Sequence, residues 1–238
     1  MLIARHLVKS FNGMRIVENI SLHVRHGEVV GLLGPNGAGK STTFKMLTGI
    51  IAPDSGQIFL NGIDATAMPF HQRARLGLAY LPQASFLPRA LSVADALGMV
   101  LETRIATAAD RKRQIRALLD DFELAEVQHN RIGTLSGGQR RRCEIAVCVA
   151  CAPVIALFDE PFAGVDPRNI GTVATLLRAL ANRGMSVLIT DHSAIDLLRL
   201  VDRAYVVEAG SVLAQGTPVE LVDNPDVQQA YLGGRVVL

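Results

Sequence analysis

Val29-Val30-Gly31-Leu32-Leu33, followed at once by Gly34-Pro35-Asn36-Gly37-Ala38-Gly39-Lys40-Ser41-Thr42, is the stretch on which the reading of this chain turns. The five apolar residues have strand length and read as a strand buried on both faces. The next eight fit G-x-x-x-x-G-K-[ST] in the setting that pattern requires, after a buried strand and before a helix, here expected from 40 to about 47. The residue types suit a triphosphate. Glycines let successive backbone N–H groups turn inward around phosphate oxygens, and the helix start points its positive dipole end at the same place. Lys40 has the reach for the β and γ phosphates, and the Ser41 hydroxyl can ligate Mg²⁺. The bland alternative is a glycine-rich turn with a chance lysine. The flanking strand and helix weigh against it.

Working outward, the first residues read as strands over 2–8 and 16–24, the second with Ile20, Leu22 and Val24 at alternate positions, and Gly27-Glu28 reads as a turn. Downstream the texture changes to Ala, Leu and charge from about Pro88 to Asn130, which predicts an inserted helical subdomain. With the helix after it, that subdomain spans about 88–150 of a single domain covering 1–238. The 136–150 helix is apolar on nearly all sides and is expected to be buried. Residues 154–158 read as a buried strand. Residues 168–182 form a helix with Val173, Leu176, Leu177, Leu180 and Ala181 on one face, and 186–190 another strand. Strands alternating with helices imply an α/β fold with a mainly parallel sheet and ligands at the carboxyl ends of its strands.

Composition sets limits on function. With 238 residues, 49% hydrophobic and 19% charged, the chain has material for a large core. A net charge of +2 gives no support to a nucleic-acid partner. Charges break up the N-terminal apolar residues too early for a signal-peptide core. The most apolar stretch, 143–158, contains Glu144 and Pro153 and is too short to span a bilayer. The expectation is a cytoplasmic protein without direct membrane insertion, whose membrane role would need a spanning partner. Cys143, Cys148 and Cys151 have C-x₄-C-x₂-C spacing, but no fourth cysteine exists. Buried free thiols are expected.

Two further groups carry chemistry. Asp159 closes the 154–158 strand, where a magnesium-organising carboxylate would sit, and Glu160 follows, able to act on a water attacking the γ-phosphate. A polar strand exit is the alternative. Leu135-Ser136-Gly137-Gly138-Gln139 opens the buried helix. Ser136 is a good cap, and the glycines allow close approach to an anion. The chain thus holds two anion-binding helix starts for one triphosphate.

These residues resemble, in order and over essentially the whole length, an ATP-binding subunit of the ABC (ATP-binding cassette) transporters. Residues 34–41 are similar to the Walker A loop and Gln83 to the Q-loop glutamine. Residues 135–139 match the ABC signature. Asp159 is similar to the Walker B aspartate and Glu160 to the catalytic glutamate. Gly164-Val165-Asp166 resembles the D-loop, His192 the switch histidine, and Phe11 the aromatic that stacks on adenine. The resemblance implies a P-loop NTPase of ABC type, with an N-terminal antiparallel β subdomain beside the parallel core and the helical insertion. It implies ATP and Mg²⁺ as bound groups, with Ser41, Gln83 and Asp159 on the metal side. It also implies a homodimer paired head to tail around ATP, docked on transmembrane permease subunits at the cytoplasmic face of the inner membrane. The second helix start would then read the partner's triphosphate. Phe86 and Arg89 are expected in the groove that takes a permease helix.

Within the family, residues 77–83, 160–167, 188–192 and the tail from Gly216 to Gly233 most resemble the ATPase subunits of Gram-negative lipopolysaccharide exporters. Branched-chain amino acid importers share a similar tail and are the runner-up. A soluble ABC-type ATPase of nucleic-acid repair or translation needs insertions or a second cassette that this length does not hold. A small-molecule kinase would leave Ser136–Gln139, Asp166 and His192 unexplained. Val147 departs from the family, which usually has arginine there. That departure bears on local packing.

Overall fold

The computed structural model describes residues 1–233; the last five residues of the expected 1–238 domain lie outside the described ones. In chain order the elements are β1 (Leu2–Phe11), β2 (Met14–Val24), β3 (Val29–Leu33), α1 (Lys40–Thr48), β4 (Ser55–Leu60), β5 (Ile63–Asp64), α2 (Phe70–Arg75) and β6 (Leu78–Leu81). Then come α3 (Val93–Glu102), α4 (Ala108–Asp121), α5 (Gly137–Ala150), β7 (Ile155–Asp159), α6 (Pro167–Asn182), β8 (Ser186–Thr190), α7 (Ala194–Leu200), β9 (Arg203–Glu208) and β10 (Ser211–Gly216). Short helical turns complete the described tail.

The strands build one sheet in the order β5-β4-β1-β2-β10-β9-β3-β8-β7-β6. From β9 to β6 all neighbours run parallel. The β5-β4-β1-β2 end is antiparallel. A single parallel bridge, Ser211 to Asn19, joins the halves, so the antiparallel N-terminal part is continuous with the parallel core. The first hairpin is longer than 2–8 and 16–24 because Asn12 and Gly13 both take positive φ, 50° and 81°. That pair is suited to the tight turn whose twist matches the flanking strands.

Strand alternation divides the core in two. Val30, Leu32, Ile155 and Leu157 face α1, where Phe44 and Leu47 are fully buried. Val29, Leu33, Ala156 and Phe158 face Ile145, Leu177 and Leu197 of α5, α6 and α7. Every residue of β3, β7 and β8 is buried, as expected for strands covered on both sides. Val154 lies outside β7 and is exposed. The cysteine expectation holds for two of three: Cys143 and Cys148 are buried, but Cys151 is exposed, because it sits past the last turn of α5 as its C-cap. Among the described residues no helix is long and apolar enough to cross a membrane.

Candidate active site

The loop leaving β3 can be made only with glycine at its ends. Gly34 has φ 146°, and a Cβ there would lie 2.1 Å from the Val207 carbonyl oxygen. Gly39, at φ 100°, would place a Cβ 2.8 Å from the Ile16 oxygen. Left-handed backbone at Gly39 immediately precedes α1 and turns the loop over the helix start. Lys40 is buried, and its Nζ donates to the carbonyls of Gly34 (2.6 Å) and Pro35 (2.9 Å). Burial lowers its pKa, against the opposing pull of Glu160 and Asp159. Among the described residues the cation is thus held over the loop by backbone, with no carboxylate bonded to it. That leaves its charge available to an anion.

Parity places the carboxylates. On β7, Ile155, Leu157 and Asp159 share the face that meets α1. Asp159 Oδ2 accepts from the Tyr80 hydroxyl at 3.2 Å, while Oδ1 is buried with no hydrogen-bond partner among the described residues. Glu160 leaves the strand in the left-handed region, φ 51°, an uncommon setting for a residue with a Cβ. The turn breaks the alternation. It brings Oε2 within 2.6 Å of the Gln83 Nε2 donor and Oε1 within 2.7 Å of His192 Nε2. Burial raises the pKa of Asp159, Glu160 and Asp191. For Glu160 the neighbouring Asp159 and Asp191 add to the rise and His192 opposes it. Asp191 accepts from the Phe162 and Ser193 N–H groups, 3.0 and 3.1 Å, fixing the loops on either side.

A cavity of about 150 Å³ is lined by Gly37, Lys40, Ser41, Thr42, Glu160 and His192. The chain therefore brings together the phosphate loop, the expected base and the histidine, with Gln83, which like Asp159 is outside the lining, bonded to the base. Phe11 ends β1, is 45% exposed, and has the Lys9 ammonium 5.6 Å from its ring centroid. It does not line the cavity.

Ser136 to Gln139 stand apart from it. Ser136 caps α5 in a closed capping box: its side chain accepts from the Gln139 N–H at 3.3 Å, and Gln139 Oε1 accepts from the Ser136 N–H at 3.1 Å. These residues line a separate cavity of about 240 Å³ with Arg142, Asn169 and Thr172. Gly137 packs on the loop before α6: a Cβ on it would lie 2.1 Å from the Gly164 oxygen. Within one chain the second helix start does not reach the phosphate loop's cavity.

Sequence reasoning missed Arg141. It is 4% exposed and donates to the carbonyls of Pro161 (3.0 Å), Pro82 (3.3 Å), Asp159 (3.1 Å) and Glu160 (2.8 Å), and to Glu144 (2.9 Å). One side chain thereby ties α5 to the backbone beside Gln83 and to both carboxylate positions. The signal available was the i, i+3 pair Arg141–Glu144, with Arg141 in the middle of a run of three arginines just before the apolar half of α5.

An apolar groove of about 540 Å³ opens beside β6, lined by Phe70, Tyr80, Phe86, Val100, Val147 and Cys148. Phe86, expected in a groove for a permease helix, is one of its lining residues. Arg89 does not line this cavity; its carbonyl accepts from Gly133 N–H at 2.9 Å. Val147, the departure from the family, is buried in this wall. Apolar packing fills the position that an arginine usually takes.

Residues 17–163 match the family model described as ABC transporter, and residues 211–237 match one for branched-chain amino acid ATP-binding cassette transporters. The chain is 49% identical to a probable ABC transporter ATP-binding protein of Azorhizobium caulinodans, covering 95% of this chain and 81% of that one. It is 47% identical to the lipopolysaccharide export system ATP-binding protein LptB of Acidithiobacillus ferridurans and 44% identical to that of Escherichia coli K12, each covering 98% of this chain and 97% of the relative. Among solved structures, the ADP conformation of an ATP-binding cassette of an ABC transporter superposes with TM-score 0.87 at 24% identity, covering 98% of both chains. The chain belongs to the ABC transporter family, as an ATP-binding, ATP-hydrolysing subunit.

Proposed function

We propose that this chain powers lipopolysaccharide export, hydrolysing ATP as a head-to-tail homodimer docked on transmembrane permease subunits at the cytoplasmic face of the inner membrane. The observation that carries the cargo is the identity of 44–47% to lipopolysaccharide export ATP-binding proteins over 98% of this chain. The chemistry rests on one geometric fact: Lys40, Ser41, Glu160 and His192 line one cavity.

In this reading the glycine-lined loop and the start of α1 bind the triphosphate through backbone N–H groups, and Lys40 exchanges its carbonyl partners for phosphate oxygens. Phe11 stacks on adenine. Glu160 accepts the proton of the water that attacks the γ-phosphorus. The P–O bond to ADP breaks, and phosphate leaves with the new oxygen. His192 and Gln83 hold the two oxygens of that carboxylate, so its orientation is set before reaction. The buried, unpartnered Oδ1 of Asp159 fits a cation. Ser41, Gln83 and Asp159 would hold Mg²⁺, which supplies charge neutralisation at the phosphates. Ser136, Gly137, Gly138 and Gln139, out of reach of their own chain's cavity, would close the partner's. The groove with Phe86 would take a permease helix.

The family-model match over 211–237 favours a second reading, an importer of branched-chain amino acids. One experiment separates them. The chain is purified with the membrane proteins that accompany it, reconstituted, and assayed for ATPase with lipopolysaccharide in the vesicles or with amino acid-loaded binding protein outside them. Stimulation by lipopolysaccharide is expected. Stimulation by the amino acid system alone would replace the cargo assignment.

A further inference from the structure

Tyr80 belongs to two places. It is one of the residues lining the apolar groove with Phe86 and Cys148, and its hydroxyl donates to Asp159 Oδ2 at 3.2 Å. Strand register accounts for the reach. Tyr80 pairs with Leu157 across the parallel β6–β7 ladder. Asp159 lies two residues further along β7, so Tyr80, Leu157 and Asp159 share one sheet face, and an aromatic side chain spans the diagonal. The Asp159 backbone is fixed separately, its carbonyl accepting from Arg141. What the tyrosine fixes is therefore the rotation of the carboxylate. Rotation about the last side-chain torsion would interchange the two oxygens, since that torsion is broad and two-fold. The hydroxyl makes them unequal: Oδ2 is bonded, and Oδ1 stays buried and unpartnered.

We propose that Tyr80 is a positioning residue for Asp159, holding Oδ2 so that Oδ1 is presented to the divalent cation that accompanies ATP. The proposal rests on the reading of Asp159 as the metal-side carboxylate. It has a consequence for coupling. A partner seated in the groove meets the residue whose hydroxyl orients Asp159, so docking reaches the metal side of the site through Tyr80.

Tyr80→Phe tests it, because the ring and its packing stay and only the hydroxyl goes. Binding of a fluorescent ATP analogue to the full chain is titrated with Mg²⁺, and Mn²⁺ binding in the presence of ADP is followed by electron paramagnetic resonance. The expected result is unchanged nucleotide affinity without metal and a cation midpoint raised about tenfold, the scale of one lost hydrogen bond to a charged group. Unchanged metal-free affinity also reports an intact fold. Asp159→Asn is the control. If it raises the cation midpoint while Tyr80→Phe does not, the positioning role is overturned and the reading of Asp159 stands. If Asp159→Asn leaves the midpoint unmoved, the metal-side reading of Asp159 falls, and the role of Tyr80 with it.

Discussion

Glu160 combines three costs in one residue: a left-handed backbone, burial, and two carboxylates nearby. Its raised pKa means that folding disfavours the ionised form. The stability it contributes is present below the ordinary carboxylate range and is lost as pH rises through the raised value. At neutral pH the charge is a burden on the fold, kept for the reaction. Glu160→Gln removes it while preserving shape and the chance to bond Gln83 and His192. The variant should bind ATP, lose turnover, and melt at a higher temperature than the parent at pH 7, the gap closing as pH falls toward about 4. Nucleotide titration, an ATPase assay and thermal unfolding across pH read the three in turn. A variant no more stable than the parent at pH 7 would remove the buried-charge argument, and normal turnover would remove the base. At the neighbouring loop, Lys40→Ala should weaken ATP binding itself, measured by nucleotide titration. Unchanged affinity would count against the cradle. Much of this was legible in sequence, because Gly34 to Ser41 and Asp159-Glu160 are local patterns with a required setting, and the family resemblance supplied His192. Tyr80 was not. Its bond to Asp159 depends on which strand β7 pairs with and in what register, and nothing local to Tyr80 says so.

At the scale of elements, α5 shows the same limit. Its burial was legible from its apolar residues, and its cap from Ser136 and Gln139 at the capping-box spacing. Its role as a brace was not, because the acceptors of Arg141 are carbonyls from two distant segments, at Pro82 and at 159–161. Backbone carbonyls carry no sequence signature. The sequence reading ends the helix at 150, where α5 stops, but the burial expected for all three cysteines fails at Cys151, because a C-cap residue is no longer covered by the helix's packing. The brace leads to a stability prediction. Arg141→Met removes the donor from those carbonyls and leaves Glu144 buried without its cation, a change that typically costs about 3–5 kcal/mol. Adding Glu144→Leu removes the stranded charge and should restore part of that loss. Denaturant midpoints of the single and double variants measure it. If the double variant is no better than Arg141→Met alone, the carbonyl bonds and not the ion pair carry the brace.

At the scale of the whole molecule, the separation of the two helix starts has a consequence for assembly. The cavity with Lys40 and the cavity with Ser136 share no lining residue, and the packing of Gly137 on Gly164 fixes the second where it is. If each reads a triphosphate, the partner of Lys40 in one chain is Ser136 in another, and a two-fold pairing then makes two identical composite sites. That arrangement is tested by mixing defects. A Lys40→Ala chain paired only with itself has no intact cradle, and a Ser136→Glu chain paired only with itself has a like charge facing each γ-phosphate. In a mixed dimer, Lys40 of the first chain and Ser136 of the second belong to the same site, so both lesions fall together and the other site is intact. Mixing the two inactive variants, each also carrying Glu160→Gln to prevent turnover, should therefore restore trapping of ATP at one site per mixed dimer, detected by filter binding and by the dimer peak in gel filtration. A mixture that traps no more than either variant alone would mean that the second helix start does not complete its partner's site, and the head-to-tail dimer would have to be given up.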